Sequence, residues 1–248
     1  MKTNILRPLF DAGKLWQGST ETAIEVTDTG FPELNQHFSG HGWPAHMLIE
    51  ILTDDLLSAP MQCAFATWTR QQDARWIALA NPPLSPCTER FMQEGIDPQK
   101  VDVLNVPDNQ LAWCLEQLAG AQSIRSLIAW EREPFTPTQL RRLQLACQRG
   151  QTQLFLVRSL KHHIQASPAP VRVTMQSLSN GFEITIFKQP GTNARPPLVI
   201  PSELHWITKA HPAQRSTFPK RPSHSVRGTL KNWAFHRSTT RRSDQQMS

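Results

Sequence analysis

The 248 residues combine 39% apolar residues with 20 prolines, a pairing that predicts a folded part joined to an extended part. No stretch reaches the roughly 18 apolar residues of a membrane span, and the amino terminus lacks the apolar core of a signal peptide. We therefore expect a cytoplasmic protein with one ample domain and a tail.

Charge is distributed unevenly along the chain, whose net charge is +6. Residues 188–248 contain 11 Lys and Arg but only two acids, Glu203 and Asp244, which gives +9. The remaining 15 basic and 18 acidic residues give residues 1–187 a net charge of −3. This asymmetry predicts that the tail binds a polyanion or an acidic protein.

The four cysteines are Cys63, Cys87, Cys114 and Cys147, at separations of 24, 27 and 33 residues. No Cys-x-x-Cys pair exists, so neither a zinc site nor a disulfide framework is predicted. All four lie in apolar segments, and we expect them to be small buried side chains in a reducing cytosol.

Apolar runs alternate with amphipathic segments through the middle of the chain. An arm over residues 1–28 and a turn-rich stretch with a short helix around Glu33–Phe38 come first. The predicted core strands are Met47–Leu52, Arg75–Ala80, Val101–Val106, Arg125–Trp130 and Gln153–Val157. The predicted helices between them begin with Ser58 and Pro60, Ser85 and Pro86, Asp108, and Thr136 and Pro137. Such alternation predicts an α/β fold with a parallel sheet flanked by helices.

The pattern changes after the fifth strand. Val171–Leu178 and Phe182–Phe187 are alternating runs around an Asn-Gly turn, which predicts a β-hairpin at the sheet edge. Beyond Lys188 the chain is rich in Pro, Ser, Thr and Arg. We expect this basic tail to be largely disordered when free, with local order confined to Leu198–Ile207.

The loop after the first core strand is where an open parallel sheet would bind phosphate, because ligands bind at the carboxyl ends of such strands. A phosphate-binding loop (P-loop) needs glycine N–H groups, a lysine and a Ser or Thr. Thr53–Pro60 contains neither glycine nor lysine. Two like charges at about 4 Å and an effective dielectric of 20 repel by roughly 4 kcal/mol, so Asp54 and Asp55 oppose a triphosphate. Asp54, Asp55 and Ser58 mark this degenerate P-loop position.

These features predict a protein that is not an enzyme and that has no cofactor or metal site. Helix capping is the favoured role of Asp54 and Asp55, with a cation held without nucleotide as the alternative. Glu131 ends the fourth strand, where a magnesium-binding acid would stand, but we expect it to be solvated. His162 and His163 follow the fifth strand, and we expect the start of a surface helix there.

Aromatic residues occur in both parts of the chain. Trp68, Trp76, Trp113 and Trp130 lie on predicted core elements and are expected to pack there. Arg141 and Arg142 lie on the exposed side of an amphipathic helix, where solvated charge is expected.

Cations flank aromatic residues in the tail, a pattern that suits stacking on single-stranded DNA or docking into a partner's pocket. A tail with incidental aromatics is the alternative. The candidate contact residues are Lys220, Arg221, Arg227, Lys231, Trp233, Phe235, Arg237, Arg241 and Arg242.

Three segments early in the chain carry a family resemblance. Thr29–Asn35, Gly40–Pro44 and Leu48–Leu52 resemble the start of the RecA-like core and, more closely, the ImuA family of translesion-synthesis accessory proteins. The similarity spans roughly residues 15–187. The family commonly has Gly-Gly-Gly-Trp-Pro where this sequence has Gly40-His41-Gly42-Trp43-Pro44, so His41 replaces a glycine. Further matching segments are Arg75–Pro83, Gly95–Asp97, Ala129–Trp130 and Leu140–Ala146.

The resemblance implies a RecA-like core over residues 29–187 that lacks a P-loop. It also implies a non-catalytic accessory role in SOS-induced translesion DNA synthesis, with association to the nucleoid during DNA damage. The implied partners are an ImuB-like protein, an error-prone DnaE-type polymerase and RecA. The core is also similar to SulA-type cell-division inhibitors, which block FtsZ assembly and end soon after the hairpin. Such an inhibitor is the alternative function.

Overall fold

One eight-stranded sheet organises the computed structural model, which describes residues 25–71, 73–191 and 194–201. Its strands run in the order β10-β9-β8-β3-β7-β6-β4-β5. Their bounds are β3 Leu48–Leu52, β4 Trp76–Ala80, β5 Val101–Leu104, β6 Ile124–Trp130, β7 Gln153–Arg158, β8 Val171–Leu178, β9 Gly181–Lys188 and β10 Leu198–Pro201. A separate two-stranded ribbon pairs β1 (Val26–Thr27) with β2 (Trp43–Pro44).

The helices connect the parallel strands as the alternation predicts. They are α1 Pro32–His37, α2 Ser58–Arg70, α3 Thr88–Gln93, α4 Asp108–Ala119 and α5 Pro137–Gly150, with short 3-10 helices at Pro98–Lys100 and Leu160–Ile164. Strands β3 to β8 pair in parallel, whereas β8–β9 and β9–β10 are antiparallel. The described residues therefore form a mixed α/β fold with a mostly parallel sheet. The predicted hairpin is confirmed as β8–β9, but its predicted position at the sheet edge is wrong, because β10 pairs with β9 outside it.

Both faces of the sheet are covered by helices, which explains why β3 reads as an almost continuous apolar run. Residues from α1, α2 and α3 form one core with side chains such as Ile49 and Ile51 of β3. Residues from α4 and α5 form the second core with Leu48 on the opposite face. The outermost described strand on one side is β10, which lies within the range predicted as tail, and β1 lies within the range predicted as an arm.

The predicted capping residues at the helix starts are confirmed in one case and not in others. Thr136 forms the predicted cap of α5, because its side chain accepts from the Gln139 N–H while the Gln139 side chain accepts from the Thr136 N–H. Asp108 is the first helical residue of α4 and not its cap, which is Pro107. Helix α3 begins at Thr88, later than predicted, since closely spaced prolines favour extended backbone before it.

Backbone geometry explains why glycine is required within the segment Thr29–Asn35. Gly30 has φ +84°, and a Cβ there would lie 2.6 Å from the Ala66 carbonyl oxygen of α2, so only glycine fits. His41 also has a left-handed φ of 61°, in the turn where the resembled family has glycine. The turn therefore keeps the glycine-like backbone although its residue differs.

Two expectations about buried side chains are wrong in part. Trp68 and Trp130 pack in the core and Trp76 is half-buried, but the Trp113 side chain on α4 is 47% exposed. Cys87 is exposed beside Glu89 at the start of α3, whereas the other three cysteines are buried. Trp113 lies on the outer side of α4 and Cys87 precedes α3 as its N-cap residue, positions that apolar content alone does not reveal.

Substitution of Gly150 by Ala should destabilise the fold, because α4 and α5 touch there. A Cβ at Gly150 would lie 1.9 Å from the Ala119 carbonyl oxygen. We expect the free energy of unfolding in urea to fall by about 1–3 kcal/mol. The control Gln148→Ala changes an exposed side chain on the same helix and should stay within about 0.5 kcal/mol of the parent. Equal stability of the two variants would contradict this packing.

Candidate functional site

The carboxyl end of β3 occupies the position where related sheets bind ligands. β3 ends at Leu52, and the loop that follows leads directly into α2 at Ser58. The neighbouring parallel strands β7, β6 and β8 point the same way, so their ends share this edge of the sheet. The structure thus places the predicted P-loop position at the expected edge.

Asp55 fills the anion site at the start of α2. Its Oδ1 accepts hydrogen bonds from the N–H groups of Leu57 at 3.1 Å and Ser58 at 3.0 Å, and its Oδ2 accepts from the N–H of Ala59 at 3.3 Å. These N–H groups and the positive end of the helix dipole are what a bound phosphate would use. The protein's own carboxylate therefore satisfies them, which confirms the capping role predicted for Asp55.

Further contacts fix this carboxylate in place. The Ser177 hydroxyl at the end of β8 donates to Asp55 Oδ2, and Thr53 Oγ1 accepts from the Asp55 N–H at 2.9 Å. Partial burial opposes ionisation of Asp55, but the hydrogen bonds from Ser177 and the helix N–H groups outweigh it and lower its pKa. Asp55 is thus a charged, fully engaged cap.

The other residues of the degenerate loop have different surroundings. Asp54 is exposed and forms no side-chain hydrogen bond or ion pair with the residues that the structure describes, so capping is not its role. The Ser58 hydroxyl oxygen accepts a hydrogen bond from Gln62 Nε2 at 3.2 Å. Leu56 is exposed, and its carbonyl accepts from Trp130 Nε1 at 2.5 Å, which ties the loop to the end of β6.

A buried ionic cluster lies beneath the same edge, on the sheet face opposite α2. Glu50 in β3 is fully buried and accepts from Arg158 Nη1 at 3.1 Å and Arg172 Nε at 2.8 Å. The Ser167 hydroxyl donates to Glu50 at 2.5 Å. Every contact of this carboxylate is with a donor, as a buried charge requires.

The cluster continues from Arg158 to Glu131 and His162. Arg158 Nε lies 2.8 Å from Glu131 Oε2, and His162 Nε2 lies 3.4 Å from the same oxygen. The expectation that Glu131 is solvated is therefore wrong. A short 3-10 helix does lie at Leu160–Ile164 and His163 is exposed on it, as expected, but His162 is buried. The acid and the histidine are brought together by the fold, although 31 positions separate them in the sequence.

Arg172 connects the cluster to the 3-10 helix Leu160–Ile164. It donates to the carbonyl oxygens of His162 at 2.8 Å and Gln165 at 2.9 Å. Two carboxylates, two guanidinium groups and one imidazole thus hold this short helix against the sheet. The sequence did carry a signal: a lone acid, Glu50, interrupts an apolar strand that is buried on both faces.

The remaining site expectations have separate outcomes. The tail residues Lys220 to Arg242 lie outside the described residues. Within residues 25–71, 73–191 and 194–201, no group of three or more His, Cys, Asp or Glu side chains is arranged to hold a metal ion. No helix in that part of the chain is long and apolar enough to cross a membrane.

Fold and site together define a class: a mixed α/β protein in which its own carboxylate occupies the helix terminus after the first core strand. No known protein-family model matches the sequence. The chain is 32% identical over 92 residues to the cell division inhibitor SulA of Pseudomonas aeruginosa. That match covers 36% of this chain and 56% of SulA, so the chain spans little more than half of the relative's length. The similarity supports a distant, SulA-like relationship.

Replacement of Asp55 by Ala should lower the free energy of unfolding by about 1–2 kcal/mol, since three helix N–H groups lose their acceptor. Asp54→Ala is the matched control and should shift it by less than about 0.5 kcal/mol. Urea denaturation at neutral pH measures both. Equal effects of the two substitutions would contradict the capping role.

Acid pH should reveal the same cap. Because folding lowers the pKa of Asp55, its ionised form stabilises the protein above the unfolded-state pKa of about 3.9. That contribution is lost as the pH falls from about 4 through the folded-state pKa. The destabilisation caused by Asp55→Ala should therefore shrink in this range, while a constant difference would count against it.

Replacement of Glu50 by Gln should destabilise the fold strongly, by about 3–5 kcal/mol, because the buried Arg172 loses its counter-charge and Arg158 keeps only Glu131. Glu183→Gln removes a half-buried carboxylate on β9, which β8 separates from β3, and serves as control, with an expected effect below about 1 kcal/mol. Thermal and urea unfolding compare the two. A loss of less than about 1 kcal/mol for Glu50→Gln would contradict the importance of the cluster.

Proposed function

We propose that this chain is a non-catalytic accessory protein of SOS-induced translesion DNA synthesis. In this role the folded part is a docking platform for protein partners. An ImuB-like protein, an error-prone DnaE-type polymerase and RecA are the proposed partners, and the basic tail contacts one of them or single-stranded DNA. The proposed site of action is the nucleoid during DNA damage.

The observation that carries the proposal is the position of Asp55. A nucleotide-driven protein of this architecture would leave the N–H groups at the start of α2 open for phosphate. Here a carboxylate with a lowered pKa accepts hydrogen bonds from them. A triphosphate would have to displace that charge and overcome the repulsion of Asp54. This supports a protein that uses the fold without using nucleotide.

The link to the SOS response rests on two similarities. The segments within Thr29–Leu52 resemble the ImuA family, and the match to SulA is with a protein described as a cell division inhibitor. SulA-type proteins and ImuA-type proteins both belong to the damage response. The charge of +9 on residues 188–248 favours the translesion role, because such a tail suits a polyanion or an acidic surface.

Inhibition of cell division by contact with FtsZ is the second candidate. The 32% identity to SulA favours it, although that match leaves nearly two thirds of this chain uncovered. An inhibitor would act stoichiometrically. The test is sedimentation of FtsZ polymers formed with GTP. If excess protein leaves the amount of sedimented FtsZ unchanged, this candidate is eliminated. Suppression of FtsZ polymerisation at a one-to-one ratio would favour it over the translesion role.

The translesion proposal is tested by binding of the full-length protein to purified ImuB-like protein, RecA and labelled single-stranded DNA. The test variant changes Lys231, Arg237, Arg241 and Arg242 to Gln, and all four lie outside the described residues. Truncation at Lys188 is avoided because β10 pairs with β9 beyond that point. We expect the variant to lose at least about tenfold affinity for one of these partners, since four cations are removed. Unchanged binding to all three would refute the tail's role.

Calorimetry with ATP and magnesium independently tests the proposal that the protein does not use nucleotide. We expect no binding heat at millimolar nucleotide with the parent protein. A saturable signal that Asp55→Ala strengthens would show that nucleotide competes for the start of α2 and would overturn the proposal.

A further inference from the structure

One face of strands β8, β9 and β10 lies outside both cores. Phe182, Ile184 and Ile186 of β9 belong to the first core, so the residues that alternate with them point to the opposite face of the sheet. Within the described residues, the second core, to which α4 and α5 contribute, contains no side chain from these three strands. The face opposite the first core is therefore not packed against α4 or α5.

A hollow of about 310 Å³ lies on this face. The short 3-10 helix after β7 lines it from one side and the sheet lines it from the other, with residues that include Leu160, His163, Thr174, Gln176 and Glu183. Glu183 pairs with Gln176 of β8 and with Val199 of β10, so it is the middle residue of a row across three strands. We call this site the acidic hollow.

The carboxylate of the acidic hollow has no counter-charge. Glu183 is half-buried, and its side chain forms no hydrogen bond or ion pair with the residues that the structure describes. Arg172, the cation of β8, is bound to Glu50. Lys188, the cation of β9, donates to the Ser167 carbonyl oxygen and lies five positions from Glu183, about 17 Å along the strand. The carboxylate is therefore available to a cation from another molecule.

Exposed apolar side chains accompany this carboxylate. Val199, directly opposite Glu183 on β10, is 50% exposed, and Leu160 of the hollow is 39% exposed. Ile164, on the same short helix as Leu160, is 92% exposed. One negative charge beside apolar side chains matches a Lys or Arg side chain, because such a side chain combines an apolar stem with a charged end.

We propose that the acidic hollow binds an Arg or Lys side chain of a protein partner, within a segment that has apolar residues beside that cation. The cation pairs with the Glu183 carboxylate, and its apolar neighbours contact Leu160 and Val199. Nucleic acid and anionic lipid are disfavoured, because their phosphates would meet the carboxylate. The inference deepens the proposed function, in which the folded part is a docking platform, and rests on it only for the identity of the partner.

Titration of the full-length protein with the tripeptide acetyl-Leu-Arg-Leu-amide, followed by NMR of the backbone amides, tests the hollow itself. We expect saturable shifts of the Thr174, Gln176 and Glu183 amides at millimolar peptide, since a single anchored side chain binds weakly. The matched probe has citrulline in place of arginine, which keeps the shape without the charge, and should bind at least about fivefold more weakly. Equal responses to the two peptides, or no shift of these amides, would overturn the inference.

Variants of the protein test the role of the carboxylate. Glu183→Gln keeps the shape of the side chain and should weaken binding of the arginine peptide at least about fivefold. Glu33→Gln is the matched control, because it removes an exposed carboxylate on α1, which packs on the first core, and should bind within about twofold of the parent. Gln176→Lys places an ammonium group opposite Glu183 and should abolish the shifts by occupying the hollow. Glu183→Gln that binds like Glu33→Gln would overturn the inference.

The proposed function and this inference fail separately. Peptide binding that depends on Glu183 would support the hollow even if neither the ImuB-like protein nor RecA binds the chain. Among partners that do bind, the one that uses the hollow should lose at least about fivefold affinity with Glu183→Gln. Self-association of the parent that is lost in Glu183→Gln would show a second copy in the hollow and would overturn its assignment to a different protein.

Discussion

Glu50 is a carboxylate in the middle of a strand that is covered on both faces, and such a charge is tolerated only with well-placed counter-charges. Arg158 and Arg172 provide them from the two strands that flank β3. The same guanidinium groups reach Glu131 and the carbonyl of His162, so one buried charge links three strands, the end of a fourth and a short helix. The mutual arrangement of the strand ends depends on this neutral cluster.

The edge that the cluster supports has the chemistry of a phosphate site but is already occupied. The N–H groups that begin α2 have an acceptor in Asp55, and Ser177 from β8 fixes that acceptor. A helix terminus satisfied from within needs no ligand to complete it. This supports the proposal that the protein does not bind nucleotide at this edge.

Positive charge is available on two parts of the chain, the tail and the exposed face of α5. The similarity to SulA covers 36% of the chain and assigns neither of them. The arginines of α5 have a fixed spacing because the helix positions them.

Sequence alone determined the order and type of nearly all core elements, because alternation, helix periodicity and caps such as Thr136 are local properties. It also located the loop Thr53–Pro60 and the capping role of Asp55, whose N–H partners at the start of α2 lie within four residues. It misjudged Glu131, His162 and Trp113. The basic partners of Glu131 lie 27 and 31 positions away, and the exposure of Trp113 depends on how α4 lies against the sheet. Those features were decided by tertiary structure, since only folding sets which distant charges meet and which helix side faces water.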